Sequence, residues 1–114
     1  MPASSGGRFT SRTVIEIVSV TGVGTLGAEV VLIRYSGADP VNLAGWRLVD
    51  GQDNAFAFPS LTLYQGGAVQ VNSTSGNDTV VNLFWGRGEP VWESGDVASL
   101  FDAQGNLRAL YRIP

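Results

Sequence analysis

The sequence predicts an all-β domain, an antiparallel sandwich or barrel of about nine short strands. Three observations predict it. Val, Ile, Leu, Thr and aromatic residues dominate the composition, and these residue types fill strands. Fifteen glycines punctuate the 114 residues at turn-like places. Apolar runs recur at a spacing of about ten residues, and none shows a sustained helical period.

Residues 1–12, rich in Ser and Gly, read as a flexible linker, and the folded domain spans 13–114. "TVIEIVSV" (Thr13–Val20) alternates as a strand, with Ile15 and Ile17 on one face and Val14, Glu16 and Val18 on the other. "TGVGTLG" is a glycine-punctuated turn. "AEVVLIRYS" (Ala28–Ser36) is a second strand, which Pro40 closes off. "LAGWRLVD" (Leu43–Asp50) is a third. Its period of two puts Trp46, Leu48 and Asp50 on one face and Gly45, Arg47 and Val49 on the other. Gly45, without a side chain, allows close packing or a bulge there. "GQDN" turns the chain into "AFAFP" (Ala55–Pro59), where Phe56 and Phe58 share a face. "LTLYQGG" and "AVQVN" make a short strand, a turn at Gly66-Gly67 and another strand. "STSGND" is a polar loop, and "TVVNLFW" (Thr79–Trp85) is a further strand. "GRGEPVWESGD" is a long Gly/Pro loop carrying Trp92. "VASLFD" (Val97–Asp102), "AQG" and "NLRALYRI" (Asn106–Ile113) form a closing hairpin. No fixed-period repeat stands out along the chain.

Composition excludes several classes of function. There is no His, which removes the commonest general base and metal ligand and rules out a His-based serine triad. There is no Cys, so no disulfide supports the fold. No run of about 18 apolar residues exists to span a membrane as a helix. The net charge of −3 argues against a dedicated nucleic-acid binder. The first residues lack the apolar middle of a signal peptide and read as the edge of a module from a longer protein.

Taken in order, "VIEI", "EVVLIRYSG", "VNLAGWRLVD", "FAFP", "LYQGG" and "VWESGDVASLFDAQGNL" resemble the lamin tail domain, including its prokaryotic members. The most specific pieces are Leu-x-Gly-Trp-x-Leu-x-Asp, at 43–50, and Gly-Asp-x-x-x-Leu-x-Asp-x-x-Gly, at 95–105. The resemblance implies an immunoglobulin-like β-sandwich and a non-enzymatic module without a cofactor. It makes Gly45, Trp46, Asp50, Gly95 and Asp96 structural signature residues. In nuclear lamins the domain follows a coiled-coil rod and contacts proteins and chromatin. Rod heptads are absent from this sequence, so filament assembly does not carry over. The prokaryotic relatives resemble accessory modules. They imply a place in a larger bacterial secreted or cell-surface protein, and a protein or cell-surface component as partner.

The residues themselves offer a few further candidates. Asp50 and Asp53 bracket "DGQDN", which is similar to half of a calcium loop but lacks its distal Glu, so an Asp-Gly turn is the simpler reading. Glu93 and Asp96 could form an acid–base pair, but Asp96 capping backbone donors at a turn accounts for the same residues. Trp85, Arg87, Trp92 and Glu93, in and beside the Gly/Pro loop, are the candidate interaction surface. If exposed, the two tryptophans would stack on sugar rings or on a partner's side chains, and the alternative is that Trp92 folds inward and pins the loop. Arg34, Arg47, Arg108 and Arg112 read as solvated positions, with a small basic patch and weak nucleic-acid binding as the rival. Asn72 and Asn77 begin glycosylation triplets. Sheet edges that can pair leave monomer and weak homo-oligomer both open.

Overall fold

The structure, a computed structural model, describes residues 14–114. The linker expected at 1–12 lies outside these residues. Ten strands follow one another: β1 (Ile15–Thr21), β2 (Val30–Tyr35), β3 (Val41–Asn42), β4 (Arg47–Val49), β5 (Ala55–Ala57), β6 (Thr62–Leu63), β7 (Ala68–Asn72), β8 (Asn82–Phe84), β9 (Val97–Phe101) and β10 (Leu107–Arg112). They form two four-stranded sheets, β10-β9-β4-β5 and β1-β2-β7-β8, and a two-stranded piece, β3-β6.

The two large sheets face each other as an immunoglobulin-like sandwich. From one sheet Leu48, Phe56, Ala98 and Leu100 point inward, and from the other Ile17, Val31, Ile33, Val69, Val71 and Leu83. The period of two holds where it was read. Trp46, Leu48 and Asp50 are all buried, as are Ile15 and Ile17. In β1 the alternation breaks after Ile17, where the register with β2 shifts and an extra residue lets Val20 return to the core.

The expected third strand, Leu43–Asp50, is split. Val41–Asn42 pairs with β6 and Arg47–Val49 with β5, and one register runs through both pairings. The two arms, 41–50 and 54–63, are therefore a single hairpin with a kink. At the kink the Trp46 N–H donates to the Leu43 carbonyl (2.9 Å) across a turn whose third residue, Gly45, has φ 81°. A Cβ there would touch only Ala103, at 3.4 Å, so close packing is not what requires glycine. The left-handed backbone is what requires it. The same device precedes β9, where the Asp96 N–H donates to the Glu93 carbonyl (3.0 Å) and Gly95 has φ 86°.

Thr79–Trp85 is also shorter than expected as a strand. Thr79 Oγ1 accepts from the Val81 N–H (3.2 Å) and the Asn82 N–H (3.0 Å), which bends 79–82 into a turn and leaves only Asn82–Phe84 on the ladder. β8 runs parallel to β7, so the wholly antiparallel expectation needs correction. Loop 73–81 carries the chain back along the sheet before β8 begins. That loop also covers the outer side of β8. Asp78 Oδ1 accepts from the Phe84 N–H (2.9 Å), and Gly76 lies so near the Phe84 ring that a Cβ would come within 2.5 Å.

The closing hairpin, β9–β10, forms as predicted. β10 lies beside β1, which joins the two sheets along one side of the sandwich. Along the other side aromatic rings join them. Phe58, Phe56, Trp85 and Trp92 make a chain with successive centroid separations of 5.1, 5.7 and 6.1 Å.

Candidate interaction surface

The long loop after β8 is held from within. Glu29, one residue before β2, is 1% exposed. Its Oε1 accepts from the Val91 N–H (2.8 Å), and its Oε2 accepts from the Trp92 N–H (3.1 Å) and the Gly24 N–H (2.9 Å). A buried carboxylate needs such donors, because its charge has left water. One side chain thus ties the β1–β2 turn to the loop. The Gly86 and Arg87 N–H groups extend the hold, donating to the carbonyls of Thr74 (3.1 Å) and Ser73 (2.8 Å). Sequence reading missed Glu29. Its signal is a carboxylate at the head of an otherwise apolar strand.

This anchoring decides where the candidate residues stand. Trp92 is 2% exposed and packs edge-on against Trp85, so it leaves the expected interaction surface. Its backbone is fixed by Glu29 and its ring fills the gap between sheets, which is the inward, loop-pinning alternative. Trp85 is half-buried, with the Arg87 guanidinium 6.0 Å from its ring centroid. Only one edge of this aromatic chain meets solvent, and it offers no flat pair of rings. Glu93 is exposed but lies apart, beside a cavity of about 330 Å³ lined also by Gly51, Gln52, Ser94 and Asp96. The structure therefore brings Trp85, Arg87 and Trp92 together and sets Glu93 elsewhere.

The signature carboxylates act on backbone. Asp96 Oδ1 accepts from the Gly51 N–H (2.8 Å) and the Val97 N–H (3.1 Å), so it caps donors as expected and also binds the tip of the neighbouring hairpin. A Cβ on Gly51 would lie 2.2 Å from that oxygen. Asp50 Oδ1 accepts from the Gln52 (3.0 Å) and Asn54 (2.7 Å) N–H groups, and its Oδ2 accepts from Asn54 Nδ2 (2.8 Å). Both oxygens are used within the turn, as the Asp-Gly turn reading expects.

The same loop occurs twice. Asp102 Oδ1 accepts from the Gln104 (3.0 Å) and Asn106 (2.9 Å) N–H groups, and its Oδ2 accepts from Asn106 Nδ2 (3.4 Å). Each Asp also donates its own N–H to the carbonyl of the Asn four residues on. The fourth loop position is left-handed in both, at Asp53 (φ 68°) and Gly105 (φ 86°). The shared pattern is Leu-x-Asp-x-Gln-x-Asn, at 48–54 and 100–106, a local repeat that reading for domain-scale periods passes over. β4 and β9 are antiparallel neighbours, so the loops sit at opposite ends of one sheet. Arg108 closes the second loop. It pairs with Asp102 at 3.5 Å and lies 5.2 Å from the Trp46 ring centroid. Burial pushes the Asp102 carboxyl up, but the hydrogen bonds from Asn106 and Gln104 and the Arg108 charge outweigh it and hold the group below the ordinary carboxylate value.

Among the described residues Arg34 stands on one sheet and Arg47, Arg108 and Arg112 on the other. Arg34 stands opposite Glu16 on the β1-β2 ladder, Arg47 leans over Phe101 (5.7 Å), and Arg108 is paired as above. Asn72 lies in β7 and donates to the Leu83 carbonyl (3.1 Å), whereas Asn77 is exposed in loop 73–81. A groove of about 730 Å³ involves none of the candidate residues. It runs from Ser60 to Ala68 on one side and to Val80 and Val81 on the other, and among the described residues no charged one lines it. Tyr64, Val80 and Val81 stand at its rim, 64%, 75% and 52% exposed. Among the described residues no helix is long and apolar enough to cross a membrane.

No curated protein matches the chain. A family model, the Lamin Tail Domain, matches residues 9–113, which takes in both sheets, the kinked hairpin and both Asp-x-Gln-x-Asn loops. The chain belongs to the lamin tail domain family.

Proposed function

We propose that this chain is a protein-contact module within a larger bacterial protein, one that is secreted or displayed on the cell surface. Lamin tail domains are a family of non-catalytic immunoglobulin-like modules, and the extracellular bacterial setting rests on likeness to prokaryotic members. The observation that carries the contact role is the uncharged groove at 60–68. Three of the five large apolar side chains exposed among the described residues, Tyr64, Val80 and Val81, gather at its rim. Large apolar side chains left together in water mark contact sites. The buried carboxylates meanwhile serve backbone amides, as Glu29, Asp50, Asp96 and Asp102 each do.

The carbohydrate reading on Trp85 and Trp92 loses its platform with Trp92 buried. Weak nucleic-acid binding draws little support, because Arg34 stands opposite Glu16 and Arg108 is paired with Asp102. A photo-crosslinking residue in place of Tyr64, in the intact parent protein and its own host, tests the proposal. We expect an adduct with a protein, lost when Val81→Asp is added. A glycan adduct, or no adduct, would contradict it.

A further inference from the structure

The two large sheets have unlike outer faces. On β1-β2-β7-β8 the outward positions mix charges and amides: Glu16 stands opposite Arg34, and Gln70 opposite Asn82. On β10-β9-β4-β5 they form rows that are mostly apolar. One row runs Leu110, Ser99, Val49, Ala55, and the next runs Leu107, Phe101, Arg47, Ala57. The alternate residues Leu48, Ala98 and Leu100 are 0% exposed, so these rows project away from the core. Leu107 and Leu110 are 52% and 54% exposed. No paired outward position on this sheet carries a carboxylate or an amide.

The charges at the paired outward positions are both positive, and the exposed Glu93 shares a cavity with Val97 beyond the strand ends. Arg47 lies over Phe101 at one end, and Arg112 stands opposite Val97 at the other. Phe101 and Val97 are four residues apart on β9, about 13 Å along the strand. Among the described residues the ion pair is Arg108 with Asp102, so Arg47 and Arg112 have no carboxylate partner there. The result is an apolar strip with a cation at each end, on a chain of net charge −3. A second copy docking through the same face would set arginine against arginine as water leaves, which is repulsive. The complementary surface carries carboxylates around an apolar centre.

We propose that the outer face of β10-β9-β4-β5 docks an acidic polypeptide segment. Two of its carboxylates meet Arg47 and Arg112, and an apolar side chain between them covers Val49, Phe101 and Leu110. Arg47 and Arg112 flank β9 on opposite sides, so their backbones are about 16 Å apart on the diagonal. In an extended segment, carboxylates four residues apart lie about 13 Å from each other on one face, with the middle residue on that same face. The long arginine side chains span the difference. Guanidinium groups suit this task because they bind carboxylates with two parallel hydrogen bonds. The proposal rests on the reading of the chain as a protein-contact module and adds the chemistry of the partner and a second place on the surface.

The test is selection of a random peptide library on the purified chain, followed by amide chemical-shift mapping of the selected peptides. We expect enriched peptides to carry paired acidic residues around an apolar one. They should move the amide resonances of Val49, Ser99, Phe101 and Leu110. The double variant Arg47→Glu, Arg112→Glu should bind them at least tenfold more weakly while keeping the wild-type melting temperature. Leu110→Asn, which leaves both charges, should weaken binding severalfold. Peptides that map to Tyr64, Val80 and Val81 would overturn this face and leave the module reading standing. Failure to enrich any peptide would overturn both. An oligothymidylate that binds at Arg47 and Arg112 more tightly than the selected peptides would also overturn it, because the site would then serve polyanions.

Discussion

Glu29 shows how much one residue can organise. Its carboxylate takes three backbone N–H groups from two separate segments, at Gly24 and at Val91 and Trp92. Removing it strands two donors, at Val91 and Trp92, away from water, and returns the Gly24 amide to solvent. Each buried donor left unpaired costs about 1–3 kcal/mol, so Glu29→Ala should destabilise by at least about 2 kcal/mol. Urea denaturation measures the loss. Hydrogen exchange should quicken first at Val91 and Trp92, and protection that is unchanged there would contradict the anchoring role. The sequence reveals some residues and hides others for a physical reason. Trp46, Leu48 and Asp50 were legible because the strand period alone assigns their face. Glu29 was not, because its partners lie up to 63 positions away and are main-chain groups with no residue identity. Trp92 was undecidable from its surroundings, since a Gly/Pro loop is compatible with either orientation.

At the scale of elements, the two Asp-x-Gln-x-Asn loops pin the hairpins of one sheet. Asp102 titrates below the ordinary carboxylate value in the folded chain, so its contribution has a definite sign with pH. It is complete above the unfolded carboxylate range, near pH 4. It is lost as the pH falls through the lower folded value. The stability gap between wild type and Asp102→Asn should therefore be level above about pH 5 and narrow in acid. Urea midpoints across that range test this, and a gap that widens on acidification would contradict it. The closing hairpin was legible in the sequence because alternation and turn residues sit side by side. The split of 43–50 was less so, because Gly45 fits a bulge and a turn equally well until φ is known. The parallel course of β8 was not legible at all. Periodicity assigns faces but says nothing of direction, and Thr79 shortened the strand through a side-chain bond that competes with the ladder.

Across the whole molecule, the sheets are joined along both sides. β10 lies beside β1, and the Phe58–Phe56–Trp85–Trp92 chain links β5 to the segment after β8. Neither sheet can leave without breaking a seam. The chain should unfold in one transition, with tryptophan fluorescence and far-ultraviolet circular dichroism giving coincident curves. Fluorescence that changes at lower denaturant would show the aromatic seam opening by itself. The fold class was legible from short apolar runs and glycine spacing, and the lamin-tail motifs carried the likeness to the family. The groove at 60–68 was not, because Tyr64 and Val80 are distant in sequence and line one groove only in the folded chain.

The covering of β8 by loop 73–81 has a further consequence. A strand with its amides turned to solvent is a template on which other chains can grow into fibres. Here Asp78 and Gly76 occupy that side of β8, β1 and β10 shield one another, and β5 offers only three residues, two of them alanine. Such a module can be crowded at high density, as copies strung along a chain or packed over a surface would be, without seeding aggregation through its sheets.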